Sequence, residues 1–230
     1  MSTLTDKDGN IFSISGSTSY VYPNFQSALL SGANLSGANF SQANFIGANL
    51  QGANLNLCNF TEANLTDANL KQLNILSSII MNGATLIRAN FSQSSIINGN
   101  FNQVNANSSI FTNTTIFGFF ADGANFSNSN FTQSSIYGFN SDDGNFTQAN
   151  FTNANLTLQD LGTSNFSGAN FSGIVGTLLN GNPTLPSFFS LVNGNLVYHY
   201  SDPRVDKINQ GGYYTPYLHS TCRGKYFLRV

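Results

Sequence analysis

The chain has 230 residues, of which 8% are charged and 40% hydrophobic, with a formal net charge of −2. Residues 25–175 hold two basic and six acidic side chains, and residues 176–230 hold five basic and two acidic ones. Neither balance indicates a surface for nucleic acid or for a membrane. The polar start, Met1 to Asn10, predicts no signal peptide, and no apolar run approaches the ~18–20 residues of a membrane span.

The first segment, residues 1–24, precedes a long repetitive region. It contains a β-prone stretch that begins at Ile11 and ends at Tyr22. Repetitive β-structures expose strand edges and core at their ends unless another segment covers them. We therefore expect residues 1–24 to form an N-terminal cap.

Residues 25–176 repeat every five residues. The run from Ala33 to Phe40 shows the unit: a small residue, Asn, a Leu or Phe that we call the centre, and two polar or small residues. A fixed short period is the signature of a solenoid. The centres are Phe25, Leu30, Leu35, Phe40, Phe45, Leu50, Leu55, Phe60, Leu65, Leu70, Ile75 and Ile80, then Leu86, Phe91, Ile96, Phe101 and onward to Phe171.

An α-helix is incompatible with this period. Each residue turns the side-chain direction by about 100°, so apolar residues five apart would point to different sides of the helix. In an extended segment the centre and the small residue two positions earlier point to one face, so both are expected inside. Three units exchange large and small residues between these positions, which keeps the core filled. They are Val104 with Ala106, Phe119 with Ala121, and Phe139 with Ser141. We expect Phe119 and Phe139 to stack.

One step of six residues, from Ile80 to Leu86, interrupts the period. The unit Ala84-Thr85-Leu86 has the normal form. We therefore expect the extra residue to bulge at residues 81–83, where Gly83 tolerates unusual dihedral angles.

The Ala-Asn-Leu/Phe-x-x pattern of residues 25–175 resembles that of the pentapeptide-repeat proteins. The resemblance implies a right-handed, four-sided parallel β-helix with one pentapeptide per side and about seven coils. The predicted fold is therefore all-β: this solenoid, an N-terminal cap and a small β-rich C-terminal module. At ~4.8 Å between paired strands the rod would be about 36 Å long.

The period ends near Gly176, and residues 177–230 are expected to form the C-terminal module. Two β-prone runs, residues 188–192 and 196–200, flank Asn193 and Gly194 and predict a hairpin. Residues 201–230, the C-terminal tail, are rich in Tyr and basic residues. The tail either caps the last coil or binds a partner.

The sequence shows no catalytic constellation. His199 and His219 lack the spacing of metal ligands, and no nucleophile–base pair or phosphate-binding loop is evident. Cys58 and Cys222 do not form a disulfide framework, and Cys58 occupies a small-residue position, which predicts a buried thiol. We predict a protein that is not an enzyme and uses no cofactor.

The position after the centre is usually Ser, Thr or Gln, but on one side of four successive coils it is apolar. Large apolar patches on a surface mark interaction sites. The predicted partner-binding residues are Leu76, Ile97, Phe117, Tyr137 and the neighbouring Phe120, with Ile79 beside them. The alternatives are that the C-terminal tail covers this row or that the row arises by chance.

A second surface feature is acidic. Asp122 and Asp142 are expected one coil apart, with Asp143 and Asp160 nearby. Like charges at about 5 Å repel each other, so a cation could bind between them. A solvated acidic corner is the simpler interpretation, and no metal site is predicted beyond this candidate of Asp122, Asp142 and Asp143.

The best-known role in the resembled family is DNA mimicry by acidic, rod-shaped dimers that bind type II topoisomerases such as gyrase. Duplex DNA carries one charge per ~1.7 Å, so a rod of this length would need on the order of twenty negative charges. Because the repeats hold only six acids, this function is kept as the alternative.

The preferred interpretation is a non-catalytic structural or docking solenoid. It would present its apolar row and C-terminal module to a protein partner, or to another copy, within a multiprotein complex or a viral particle. We expect no small-molecule substrate and no direct binding of nucleic acid. The expected location is the cytoplasm or an assembled particle.

Overall fold

The computed structural model describes residues 3–5, 11–13, 23–157, 159–176, 179–181, 183–185, 189–192 and 195–198. These residues form twelve β-strands and no helix. Among them there is accordingly no helix of the length and hydrophobicity needed to cross a membrane. The strands are β1 (Thr3–Thr5), β2 (Ile11–Ser13), β3 (Asn74–Ile75), β4 (Ile79–Ile80), β5 (Ser95–Asn100), β6 (Thr115–Phe120), β7 (Ser135–Asn140), β8 (Asn155–Thr157), β9 (Gln159–Asp160), β10 (Leu179–Asn180), β11 (Phe189–Val192) and β12 (Asn195–Tyr198).

The repeats form a parallel solenoid, because residues about one coil apart pair along the whole region. On one side the paired residues are Asn24, Asn44, Asn64, Thr85, Asn105, Asn125, Asn145, Asn165 and Thr184. Strands β5, β6 and β7 pair in parallel with the same offset of 20 residues. The predicted parallel β-solenoid is confirmed. The number of coils differs slightly, since this ladder makes eight steps and ends beyond residue 176, at Thr184. Leu179, also beyond residue 176, pairs in parallel with Gln159.

The regular corners of the coil are β-turns. At one corner the N–H of Ala28 donates to the carbonyl of Phe25 at 3.0 Å, and at another the N–H of Ala149 donates to Phe146 at 3.0 Å. The third residue of each turn has positive φ, 59° at Ser27 and 58° at Gln148, as a type II turn requires. The five-residue unit thus consists of a short extended segment and one turn.

The centres and small residues point inward, as the parity argument predicts. Phe126 and Phe146 are fully buried, and their rings stack at 5.3 Å. The exchange of large and small residues is confirmed too: Phe119 and Phe139 are buried and stack at 5.4 Å. Close packing is kept because a small centre accompanies each large residue.

The predicted position of the extra residue is wrong. Ile79 and Met81 are fully buried whereas Ile80 is 40% exposed, so Met81, not Ile80, is the centre of its unit. The six-residue step runs from Ile75 to Met81, and the extra residue lies between β3 and β4. The spacing within Met81-Asn82-Gly83 is that of an ordinary unit, since the N–H of Ala84 donates to Met81 at 2.9 Å.

The side chain of Asn56 holds this insertion in place. Its Oδ1 accepts hydrogen bonds from the N–H groups of Leu76 and Ser77 at 2.8 and 2.9 Å. One amide side chain therefore satisfies two backbone donors that the extra residue removes from regular pairing.

The predicted hairpin is present as the antiparallel pair β11 and β12, with Val192 opposite Asn195. The ring of Phe189 lies edge-on to Phe171 at 5.7 Å, and Leu185 and Leu196 pack against the core. This hairpin therefore contacts the last coil. Of the predicted N-terminal cap, Thr3–Thr5 and Ile11–Ser13 pair antiparallel. The other residues before Pro23, and the C-terminal tail, lie outside the described residues.

Candidate interaction surface

The predicted apolar row lies along one corner of the solenoid. Parallel pairing of β5, β6 and β7 places Ile97 beside Phe117 and Phe117 beside Tyr137. The last two rings stack at 4.7 Å with an interplanar angle of 11°. This distance is about the ~4.8 Å spacing between paired strands, because the two residues occupy the same position in successive coils. Their faces cover each other, so the row presents ring edges outward as a ridge.

The exposure of this row is unusual for large apolar side chains. Leu76 is 60% exposed and Phe117 is 44% exposed, while Ile97 and Tyr137 are half-buried. The hydroxyl of Tyr137 accepts a hydrogen bond from Nδ2 of Asn155 at 3.2 Å, which fixes its ring at the end of the row. Whether these residues bind a partner stays a prediction.

The structure adds Leu57, which the sequence interpretation missed. Leu57 is 61% exposed and lies at the same corner, where its N–H donates to the carbonyl of Ser78 at 2.9 Å. We call Leu57, Leu76, Ile97, Phe117 and Tyr137 the apolar edge. Among the described residues with positive φ, Leu57 is the one apolar side chain other than glycine. Inspection of that turn position for apolar residues would have found it.

The residues beside the apolar edge need one correction. Ile79, which was expected on the surface, is fully buried, because it occupies the small-residue position of its unit. Ile80 is exposed in its place and pairs with Asn100, which pairs with Phe120. Phe120 is 44% exposed, so it widens the patch as predicted from the sequence.

A column of small polar residues runs parallel to the apolar edge on the same side of the coil. Ser95 pairs with Thr115, and Thr115 pairs with Ser135, two residues before Ile97, Phe117 and Tyr137. We call Asn74, Ser95, Thr115 and Ser135 the polar column. The segments that carry the edge and the column, residues 53–57, 73–76, 94–98, 114–118, 134–138 and 154–157, contain no Asp, Glu, Lys, Arg or His. This side of the solenoid is thus uncharged.

The acidic corner is organised by backbone hydrogen bonds. Oδ1 of Asp122 accepts from the N–H of Asp142 at 2.9 Å, and Oδ1 of Asp142 accepts from the N–H of Thr163 at 3.0 Å. The hydroxyl of Thr163 also donates to Asp142 at 2.7 Å. These donors, the Thr163 hydroxyl first, lower the pKa of Asp142.

The stacked carboxylates are therefore stabilised by N–H and O–H donors of the next coil. Oδ1 of Asp143 lies 2.5 Å from the same Thr163 hydroxyl, so the two carboxylates share its one proton. Oδ1 of Asp160 accepts from the N–H of Gly162, in its own coil, at 3.3 Å. Within the described part of the chain, no three His, Cys, Asp or Glu residues are grouped so that they could hold a metal ion. Cation binding at Asp122, Asp142 and Asp143 stays a prediction.

The remaining reactive side chain of the described region is Cys58. It is a buried free thiol, as predicted, and its Sγ donates to the carbonyl of Leu35 at 3.0 Å. Burial raises the pKa of this thiol to about 12, so it is neutral and inert at ordinary pH. His199, His219 and Cys222 lie outside the described residues.

Fold and surface together define a repeat protein: a parallel β-solenoid with one uncharged, partly apolar side. The family model for pentapeptide repeats matches in eight copies, at residues 24–61, 43–75, 81–113 and 145–174, which together make up half of the chain. The chain belongs to the pentapeptide-repeat family. No curated protein sequence matches it.

Solved structures of pentapeptide-repeat proteins are similar to this chain. HetL, a pentapeptide repeat protein involved in heterocyst differentiation regulation from the cyanobacterium Nostoc sp., is 16% identical; the match covers 66% of this chain and 86% of HetL, with a TM-score of 0.29. Full-length QnrB1, a plasmid-mediated fluoroquinolone resistance protein, is 18% identical; the match covers 71% of this chain and 79% of QnrB1, with a TM-score of 0.32.

Proposed function

We propose that the chain is a non-catalytic docking rod whose apolar edge binds another protein surface. The observation that carries this proposal is the stacking of the exposed Phe117 on the half-buried Tyr137 within an uncharged side of the solenoid. The cores of protein interfaces are depleted of charged residues and enriched in aromatic ones. Burying each large apolar side chain is worth roughly 1.5–3 kcal/mol, before the costs of association are subtracted.

The solenoid restricts how a partner can bind at this edge. The backbone groups of β6 pair with β5 on one side and β7 on the other, so a partner strand cannot extend the sheet there. Recognition must use side chains, with the ridge of Phe117 and Tyr137 inserted into a groove of the partner. A rod with few charges, coated with Asn, Ser and Thr, suits such packing within a larger assembly, such as a multiprotein complex or a viral particle.

The charge of the rod argues against DNA mimicry. Eight steps of ~4.8 Å give a length of about 38 Å, for which a mimic of duplex DNA needs on the order of twenty negative charges. Residues 25–175 hold six acids. One of them, Asp67, forms an ion pair with Arg88 at 2.6 Å, and this hydrogen bond lowers the pKa of Asp67.

Photocrosslinking in the cells that contain the chain tests the docking function. A photoreactive phenylalanine analogue would replace Phe117 in one variant and Asn128 in a control. Asn128 is exposed and lies at the diagonally opposite corner, two units along the coil from Gly118 and Gly138. We expect crosslinks to a second polypeptide from position 117 and few from position 128.

Two results would contradict the proposal. Crosslinks that stay within one chain would show that the apolar edge is covered by the protein itself. Equal crosslinking from both positions would show that the edge has no preference over the rest of the surface.

A further inference from the structure

We propose that the apolar edge binds a second copy of this chain, in a side-by-side dimer whose two rods run parallel. This inference rests on the proposed docking function and adds the identity of the partner. It follows from the shape of the uncharged side, where the apolar edge forms a ridge and the polar column forms a trough next to it. Strands β5, β6 and β7 each carry one residue of each kind, such as Phe117 and Thr115 in β6.

The two columns are related by strand geometry. Residues i and i+2 of a strand point to the same face, so Ser95 and Ile97, Thr115 and Phe117, and Ser135 and Tyr137 stand side by side on three successive coils. Pairing between the strands keeps each column in line. The result is a surface whose high and low columns have the same repeat along the rod.

A two-fold axis parallel to the rod makes this surface complementary to itself. Rotation about such an axis exchanges the two columns without shifting the coils along the rod, so Phe117 of one copy faces Thr115 of the other. A two-fold axis perpendicular to the rod would instead place ridge against ridge. The parallel arrangement buries large side chains over small ones, as an isologous interface with close packing requires.

The identical repeat of the two copies favours this partner over an unrelated one. Every coil advances by one strand spacing of ~4.8 Å, so contacts that fit at Phe117 and Thr115 also fit one coil earlier and one coil later. An unrelated partner would need the same spacing by coincidence. The uncharged surface also leaves no like charges to repel each other across the axis.

The area predicts a reversible dimer. The apolar edge extends over four coil steps from Leu57 to Tyr137, about 19 Å, and one side of the coil is about 10 Å wide. The contact is therefore on the order of a few hundred Å² per copy, below the ~800 Å² of a standard interface. We expect dimerisation to depend on protein concentration and to change little with ionic strength.

Sedimentation equilibrium of the full chain over a wide concentration range tests the dimer, with Phe117→Lys as the disruptive variant. Its control is Asn128→Lys, which adds the same charge at the opposite corner. We expect the wild type and Asn128→Lys to dimerise and Phe117→Lys to stay monomeric. A wild type that is monomeric at its highest soluble concentration overturns the inference, and so does a Phe117→Lys variant that dimerises normally.

Disulfide trapping tests the parallel geometry without disturbing the ridge by a charge. In a Cys222→Ser background, Thr115→Cys in one chain and Phe117→Cys in another should crosslink when mixed and oxidised, because those positions face each other. Each single variant alone should crosslink far less. Efficient crosslinking of Phe117→Cys with itself, and none between Phe117→Cys and Thr115→Cys chains, would overturn the parallel arrangement.

The outcomes also separate this inference from the docking function. A monomeric wild type whose position 117 still crosslinks to a different protein in cells refutes the dimer and keeps the docking function. A monomer whose thermal unfolding falls by many degrees in Phe117→Lys, but not in Asn128→Lys, refutes both, because the edge is then covered within the chain.

Discussion

Replacement of Phe126 by Ala tests the inward assignment on which the whole register depends. The ring of Phe126 is fully buried and stacks on Phe146 at 5.3 Å, with Phe111, Phe119 and Phe131 at 5.7–5.8 Å. Truncation removes the contacts with all four rings and leaves a cavity that a rigid ladder cannot close. We expect a loss of about 3–5 kcal/mol in the free energy of unfolding, the range for Phe to Ala in a core.

The matched control is Asn125→Ala, one residue earlier in the same unit. Oδ1 of Asn125 accepts from the N–H and the hydroxyl of Ser127 at 3.1 and 2.7 Å, and its Nδ2 donates to Asn105 at 3.3 Å. Because the site is partly open to water, which can replace these bonds, we expect a cost of only about 1–2 kcal/mol.

Equilibrium denaturation in urea, followed by circular dichroism, measures both changes. Equal losses for Phe126→Ala and Asn125→Ala would refute the assignment of centres to the interior. So would a smaller loss for Phe126→Ala than for its neighbour.

Three further predictions concern the insertion, the thiol and the alternative function. Ile79→Ala should cost about 2–5 kcal/mol as a core truncation and Ile80→Ala less than about 1 kcal/mol; the reverse order in urea denaturation would restore the sequence-based register. Cys58 has a folded pKa of about 12, above its unfolded value, so the unfolded chain loses its proton first and stability should fall as pH rises above about 9. Cys58→Ala should remove that part of the fall in denaturation measured against pH; an unchanged pH profile would refute the buried neutral thiol. In a supercoiling assay the chain should neither inhibit nor protect DNA gyrase, and a potent effect would restore DNA mimicry.

Much of this protein could be predicted from its sequence because every coil repeats the same pattern. The pattern within one five-residue unit therefore also determines which residues pack together between coils. A residue such as Phe126 packs against its own equivalent one coil away, Phe146. The five-residue period therefore determined the solenoid, the inward positions, the compensation between Phe119 and Ala121, and the alignment of Ile97, Phe117 and Tyr137.

The position of the insertion could not be predicted in this way. Ile79, Ile80 and Met81 are three consecutive apolar residues, so two registers both bury large side chains. The choice is made by pairing with other coils, since Ile80 pairs with Asn59 and with Asn100. Only contacts about 20 residues away in sequence could show that Ile80 faces solvent.

The surface likewise depends on contacts between coils. Leu57 belongs to the apolar edge only because the turn before the insertion carries it to the same corner as Leu76. The acidic corner looks repulsive in sequence, yet Thr163, 21 residues beyond Asp142, donates its N–H and its hydroxyl to that carboxylate and stabilises it. The period determined which residues point inward, because that needs only parity within one unit; the partners of outward side chains lie on the next coil, and only the tertiary structure decided them.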